Sequence, residues 1–229
     1  MEKFTRDERA YHEALAVVLQ VRGADLQVLL WQRAKPPFEG AWSVPGGRLG
    51  APETLEDSVR RHLAEKVDVR ELSHLEQLET LSAPRRHPDM RLVATAYLGL
   101  VPAGVDPRVP EDTRWHPVDA LPNLAFDHLV IVLTGRERLR AKLSYTNIGF
   151  ALAPPVFTIA ELRRLYRAAL GHDVSATNLQ RVLLRRRVLE PTGELRAPGR
   201  AGGRPAAVYR FRKRDLDVTD QFAVLRPPR

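Results

Sequence analysis

No cysteine occurs among the 229 residues. A disulfide framework and a thiolate metal site are therefore both excluded. No apolar run approaches the roughly 20 residues needed to span a bilayer. The early apolar stretch, Ala14 to Val18, follows a charged N-terminus, Met1 to Glu13, and is too short and interrupted for the apolar region of a signal peptide. These absences predict a soluble chain that works in the cytoplasm, without a membrane partner. Apolar content, at 44%, is ordinary for a globular protein. The length suits one large domain or two small ones.

Acidic residues are scarce in one part of the chain only. From Leu152 to Arg229 there are 16 Lys+Arg against 7 Asp+Glu, a net charge of +9, while residues 1–151 carry −1. The whole basic excess thus sits in the last third. Such asymmetry predicts a near-neutral domain joined to one that binds a polyanion.

Hydrophobic period divides the first part into elements. His12 to Arg22 and Leu26 to Arg33 read as strands joined by a turn at Gly23-Ala24-Asp25. Ala34 to Gly50 reads as a Pro- and Gly-containing loop. From Glu53 the period changes: Leu55, Val59, Leu63 and Val67 recur every four residues, one face of a helix. Glu71 to Leu81, Met90 to Val101 and Arg114 to Val118 are further strand candidates. Phe126 to Leu143 reads as a helix with Leu129, Val132, Leu133, Leu139 and Leu143 on or near one face.

Pro154-Pro155 breaks any helix and stiffens the join, so the boundary is set between residues 1–151 and 152–229. Thr158 followed by Glu161 is a capping box, opening a helix that stops at Gly171. Ser175 caps a second helix to about Arg187, with Leu179, Val182 and Leu183 inward. Val188 to Thr192 and Ala206 to Phe211 then read as strands around a Gly-, Arg- and Pro-rich loop. Helix, turn, helix and a hairpin with a basic tip is the order of a winged helix-turn-helix. On the outward side of the second helix Thr177, Asn178, Arg181 and Arg185 fall at helical spacing. Asn and Arg can pair bidentately with adenine and guanine edges. Arg186 and Arg187 add charge for phosphates. Arg196, Arg200 and Arg204 lie at the wing, suited to a minor groove or flanking backbone.

The segment from Gly47 to Val69 reads G-R-L-G-A-P-E-T-L-E-D-S-V-R-R-H-L-A-E-K-V-D-V. It resembles the Nudix hydrolase box, G-x5-E-x7-R-E-U-x-E-E-x-G-U, where U is bulky and apolar. Gly47, Glu53, Arg61, Leu63, Glu65 and Val69 fall in register. Three positions depart: His62 and Lys66 stand where metal-binding Glu residues belong, and Asp68 stands where Gly belongs. A Nudix hydrolase uses divalent cations to neutralise a pyrophosphate and activate water. Mg2+ prefers oxygen ligands, and Glu at i, i+3 and i+4 puts three carboxylates on one helix face. With one carboxylate left and a lysine in the cluster, useful hydrolysis is expected to be absent. Glu53 and Arg61 are expected to form a structural ion pair. The W-S-V-P-G-G run before the helix offers glycines for close backbone approach to a phosphate, and the helix N-terminus would favour an anion.

The resemblance extends beyond the box. Arg33, Ala34, Pro37, Phe38, Gly40 and Trp42 match R-A-x-x-P-F-x-G-x-W, and Ala125 to His128 read A-F-D-H, a run found in the ADP-ribose-handling branch. The resemblance implies an α/β/α Nudix sandwich with a mixed sheet over about residues 12–143. It also implies ADP-ribose or a related nucleotide as ligand, with Arg33, Trp42, Gly46, Gly47, Arg48, Glu65 and Phe126 at the pocket. Phe157 to Tyr166, Asn178 to Arg181, Val188 to Gly193 and above all G-R-P-A-A-V-Y-R-F at Gly203 to Phe211 carry a second likeness. Together the two halves resemble the Nudix-related transcriptional regulators, the NrtR family. That resemblance implies a cytoplasmic homodimer on a palindromic double-stranded operator, repressing genes of NAD synthesis or salvage. ADP-ribose would be the effector that releases the DNA, and no further cofactor is required. Two alternatives stay open: an active Nudix pyrophosphatase with an atypical metal site built from Glu53, Glu56, Asp57 and Glu65, and an adaptor whose basic domain binds RNA or protein.

Overall fold

The computed structural model describes residues 10–197 and 205–220. Its centre is β1 (Tyr11–Arg22), whose two faces are both buried. Leu15, Val17, Leu19 and Val21 face one core, and Ala14, Ala16 and Val18 face the other. This explains why the segment is apolar throughout rather than alternating: a central strand covered on both sides has no solvent face.

Around β1 lies a seven-stranded mixed sheet. β2 (Asp25–Gln32) pairs with it antiparallel through the Gly23 turn, and β6 (Leu92–Leu100) pairs with it parallel. β5 (His74–Leu81) borders β6, and β7 (Thr113–Pro117) borders β2. The predicted loop before the first helix contains two short strands, β3 (Trp42–Ser43) on β2 and β4 (Gly46–Arg48) on β1. Neither is long enough to leave a period in the sequence.

α1 (Leu55–Val67) covers one face, burying Val59, Leu63 and Val67 as the four-residue spacing predicts. Thr54 caps it, and a capping box with Asp57 uses its first free N–H groups. Its C-cap is Asp68, at φ 50°. The Nudix box places Gly at this position, and Asp is among the few other residues that tolerate the left-handed region. That departure is therefore conformationally inexpensive.

α2 (His128–Tyr145) covers the other face through Ile131, Val132, Leu139 and Leu143. Gly135 lets it approach β1, since a Cβ there would lie 2.9 Å from Val17. Leu129, expected on the inner face, is instead 47% exposed beside Val130 on the first turn. Val132, Leu139 and Leu143 of the stripe read in the sequence are buried, Leu133 is half-buried, and Ile131 takes the inner position on the first turn in place of Leu129.

The second half consists of β8 (Phe157–Thr158), α3 (Ile159–Leu170), α4 (Ala176–Arg185), β9 (Leu189–Arg196) and β10 (Ala206–Phe211). The three strands form one sheet, β8-β10-β9. Thr158 and Glu161 make the expected capping box, and Gly171 ends α3 in the left-handed conformation. β9 runs four residues past its predicted end at Thr192, because its ladder with β10 continues to Arg196 opposite Ala206.

The join is not an exposed linker. After α2, a turn of 3-10 helix (Ile148–Ala151) leads into Leu152 and Ala153, and all six residues are essentially inaccessible. One continuous apolar cluster includes Leu15 and Leu30 of the large sheet, Phe150, Phe157, Leu162 of α3 and Leu183 of α4. The Pro pair follows this buried segment; it does not stand between two separate cores. The chain then returns after β10, where Asp217 N–H donates to Asn147 Oδ1 at 2.7 Å and Thr219 N–H to the Tyr145 carbonyl.

Candidate functional site

A cavity of about 550 Å³ opens at the end of the large sheet. That is within the usual range for a small-ligand site. Glu13 and Leu15 of β1 and Trp31 and Arg33 at the end of β2 form part of its wall, and Ser43, Val44 and Gly46 to Arg48 form another. Lys66 of α1, His87 and Met90 of the 82–91 loop, and Phe126 and His128 at the start of α2 complete it. Of the seven residues expected in the pocket, Arg33, Gly46, Gly47, Arg48 and Phe126 line it.

Trp42 and Glu65 stand outside. Trp42 is the first residue of β3, so its side chain points opposite to that of the lining Ser43. It packs against the core cluster with its ring 4.5 Å from His116. Glu65 turns to Arg61 at 3.2 Å with its side chain 59% exposed. Conversely Glu13, Ser43, Lys66, His87 and His128 line the cavity without having been singled out for it. Lys66 as a departed box position, Ser43 in W-S-V-P-G-G and His128 as the last residue of A-F-D-H each carried a motif signal; Glu13 and His87 carried none.

The two glycines of the P-G-G run have internal reasons. A Cβ on Gly46 would collide with the Ala14 carbonyl and Leu15, and one on Gly47 would sit 2.6 Å from the His62 ring. They are needed for β4 to lie against β1 and α1, apart from any phosphate. The N-terminus of α1 is also closed by its own capping box, and the helix meets the cavity near its other end, through Lys66. The anion-binding element read from the helix start is thus replaced by side-chain cations: Arg33, Lys35, Arg48 and Lys66 all line the cavity.

The one lining carboxylate is already neutralised. Arg86, with its side chain 2% exposed, donates to Glu13 at 2.7 Å and, as a fork, to both oxygens of Asp127 at 2.8 and 3.0 Å. Burial alone would lower the Arg86 pKa, but the Asp127 and Glu13 carboxylates more than reverse this and hold it above the ordinary value. This pins the 82–91 loop to the start of α2. Beside it Phe126, at φ 53°, has His87 stacked 5.3 Å away, Arg33 over its ring at 4.7 Å and Phe38 against its edge. His128 Nδ1 accepts a hydrogen bond from Val44 N–H at 3.2 Å, so its proton resides on Nε2. Burial pushes its pKa down to about 3, keeping it neutral. The Ser43 hydroxyl is buried and unpartnered within the described residues.

The expected Glu53–Arg61 pair forms. Arg61 donates to both Glu53 oxygens, one of them at 3.0 Å, and Gly50 N–H donates to the same carboxylate at 2.9 Å. These bonds, Arg61 first, pull the Glu53 pKa from 4.5 to about 2. A carboxylate depressed in the fold contributes stability that is present above its unfolded pKa and lost as pH falls through the folded one. Glu53→Gln should therefore be less stable than the parent at neutral pH, with the difference closing between about pH 4.5 and pH 2. Chemical denaturation at stepped pH measures this, and a difference that persists unchanged at pH 2 would argue against the pair.

The two departures at metal-ligand positions form hydrogen bonds of their own. His62 Nε2 donates to the Arg48 carbonyl at 3.1 Å, and Lys66 Nζ donates to the Gly46 carbonyl at 2.7 Å. Burial, first of all, lowers the pKa of each. Among the described residues no group of three His, Asp or Glu side chains could hold a metal ion.

The basic half presents α4 outward. Leu179 and Leu183 are buried, whereas Thr177, Asn178, Arg181, Arg185 and Arg187 are exposed. Arg181 donates to Asn178 Oδ1 at 2.8 Å, so the two polar heads lie together. Ser175 caps the helix; Arg163 fixes the preceding turn by binding Asp173 at 2.8 and 2.9 Å and the Val174 carbonyl. Gln180 donates to the Tyr209 hydroxyl, tying the helix to the wing.

Arg186, expected among the nucleic-acid contacts, turns the other way. It binds Asp220 at 2.7 Å and the Ser144 carbonyl at 2.6 Å, because at the C-cap its side chain meets the end of α2. Arg196 is paired with Glu161. Arg200 and Arg204 lie outside the described residues.

Comparison with known proteins covers both halves. The NUDIX domain model matches residues 11–133, and the NrtR DNA-binding winged helix domain model matches residues 149–211. The ADPR responsive transcriptional repressor NtrR of Acinetobacter baylyi is 31% identical over 207 residues, which are 87% of this chain and 81% of that protein. The crystal structure of Shewanella oneidensis NrtR complexed with a 27mer DNA superposes with a TM-score of 0.75 at 34% identity, covering 89% of this chain and 94% of that one. The NUDIX domain of Shewanella oneidensis NrtR complexed with ADP ribose superposes with a TM-score of 0.51 at 35% identity, covering 58% of this chain and 90% of the other.

Proposed function

This chain belongs to the NrtR family of Nudix-related transcriptional regulators, and on that premise we propose that it is a DNA-binding repressor released by ADP-ribose or a related NAD metabolite. The observation that carries the reading is the pairing of two features in one chain. A cation-lined cavity has lost its metal carboxylates, and an exposed Asn178/Arg181 face stands on a capped second helix. Binding is retained in such a pocket while the means of activating water are not, so the Nudix half senses a nucleotide rather than hydrolysing it.

The DNA-facing set is Thr177, Asn178, Arg181, Arg185 and Arg187, with Arg200 and Arg204 assigned to the wing from the sequence. A homodimer would place two copies of α4 about one helical turn apart, roughly 34–36 Å, on a palindromic operator. Genes of NAD synthesis or salvage are the targets the family implies. α2 is placed to couple the two sites. It begins at His128 in the cavity wall, two residues after the lining Phe126, and its last turn carries Ser144, whose carbonyl receives Arg186 from the end of α4. An effector must favour one arrangement over the other by about 1–3 kcal/mol to switch occupancy at typical coupling strength.

The test is a titration of operator DNA, drawn from upstream of the organism's own NAD-synthesis genes, with ADP-ribose at a fixed and stated salt concentration. Specific binding that ADP-ribose reverses supports the proposal. Specific binding indifferent to ADP-ribose removes the effector, and steady AMP production from ADP-ribose with Mg2+ would favour the hydrolase instead. Asn178→Ala and Arg181→Ala should each weaken operator binding by about 1–3 kcal/mol and relax selectivity at the bases they read. ADP-ribose affinity, measured by calorimetry on the same variants, should stay within error of the parent; a parallel loss of both would sink the two-site scheme.

A further inference from the structure

Lys66 occupies a position where the Nudix box places a metal-binding carboxylate, and its surroundings are those of a held cation. Its ammonium donates to the Gly46 carbonyl at 2.7 Å and lies 4.7 Å from the centre of the Trp31 ring, over its face. A carbonyl lone pair and an indole π-face are both partners a cation seeks. An ammonium has three N–H donors, and the Gly46 carbonyl uses one. Among the described residues no carboxylate is paired with Lys66, and the side chain lines the cavity.

The rest of the former metal shell is also changed. His62 donates to the Arg48 carbonyl, and Glu65, the surviving carboxylate, is bound to Arg61 away from the cavity. Mg2+ needs several oxygen ligands in near-octahedral array. Here the carbonyls of Gly46 and Arg48 are both engaged by protein N–H donors. The donor set does not fit a hard divalent ion.

We propose that the Lys66 ammonium takes the metal's place, binding the diphosphate of the effector directly together with Arg33 and Arg48, so that effector binding needs no divalent cation. The proposal rests on reading the cavity as a nucleoside-diphosphate site. Its chemistry is charge neutralisation alone. A lysine supplies one positive charge and directed N–H donors, but no coordinated water to ionise, which separates binding from hydrolysis.

The test is calorimetric titration of the full chain with ADP-ribose and, separately, with inorganic pyrophosphate, each in EDTA and in Mg2+. The parent should bind ADP-ribose with the same affinity in both buffers. Lys66→Met should weaken binding about tenfold to a hundredfold, the range for losing a hydrogen bond to a charged group. Lys66→Arg should retain most of the affinity, and thermal melting checks that each variant is folded. His62→Glu combined with Lys66→Glu should bind only when Mg2+ is present. Loss of parent binding in EDTA, or Lys66→Met binding as the parent does, would overturn the proposal. If ADP-ribose binds in neither buffer while pyrophosphate binds in EDTA and requires Lys66, the effector assignment fails and the role of Lys66 stands. If neither ligand binds in EDTA, the role of Lys66 fails.

Discussion

Arg86→Met should destabilise the protein by about 3–5 kcal/mol, the range found when one partner of a buried ion pair is removed. The Arg86 side chain is 2% exposed beside the cavity-lining Glu13, and its guanidinium satisfies Glu13 and both oxygens of Asp127. Methionine keeps much of the volume, so the cost arises from two carboxylates left in a partly buried setting without a counter-charge. The same change frees the 82–91 loop from the start of α2, and with it His87 from Phe126. ADP-ribose affinity should therefore fall along with stability. Urea denaturation gives the first quantity and calorimetry the second. Adding Glu13→Gln and Asp127→Asn to the arginine variant should recover much of the stability, because the stranded charges are then gone. A loss below about 1 kcal/mol in the single variant would place the triad with screened surface pairs, whose median worth is no more than that.

Phe157→Ala is expected to cost about 3–5 kcal/mol, as do most truncations of a buried phenylalanine. Phe157 opens β8, is fully buried, and has its ring 5.3 Å from that of Phe211. The informative part is where the loss appears. The cluster around Phe157 continues without a break into the residues of β1, β2 and α2. Two halves that share a core should unfold together, so calorimetry should show one transition moving as a unit. If the variant melts in two steps, with the larger half unchanged, the shared core is not an energetic unit. The result also bears on regulation. A reader domain fused through a buried join is held in a set orientation to the sensor, as a switch based on helix spacing requires.

Much of this arrangement is legible in the sequence, for identifiable reasons. The four-residue period of α1, the Thr158–Glu161 box, Gly171 and Ser175 all act through neighbours within a turn, and each appears where local chemistry puts it. The failed box positions, His62 and Lys66, are visible in any alignment of the motif to the chain. What they do instead is not, since their partners Arg48 and Gly46 are reached only when β4 lies beside α1. Trp42 and Ser43 make the same point at single-residue scale. Both sit in the recognisable W-S-V-P-G-G run, yet the pleat of a two-residue strand sends the serine to the cavity and the tryptophan to the core.

Arg186 shows why three consecutive arginines cannot be assigned one role from composition. Arg185 and Arg187 face solvent, while Arg186 is drawn back to Ser144 and Asp220 by the packing of α4 against the end of α2. The sequence by itself determined the two domain types, the His62 and Lys66 departures from the box pattern and the outward polar face of α4, because each depends on residue identity at fixed short spacings. Tertiary structure alone decided the Arg86 triad, the buried join and the placing of Lys66 in the cavity wall. Those depend on residues tens of positions apart meeting across the sheet, and no local period records such a meeting.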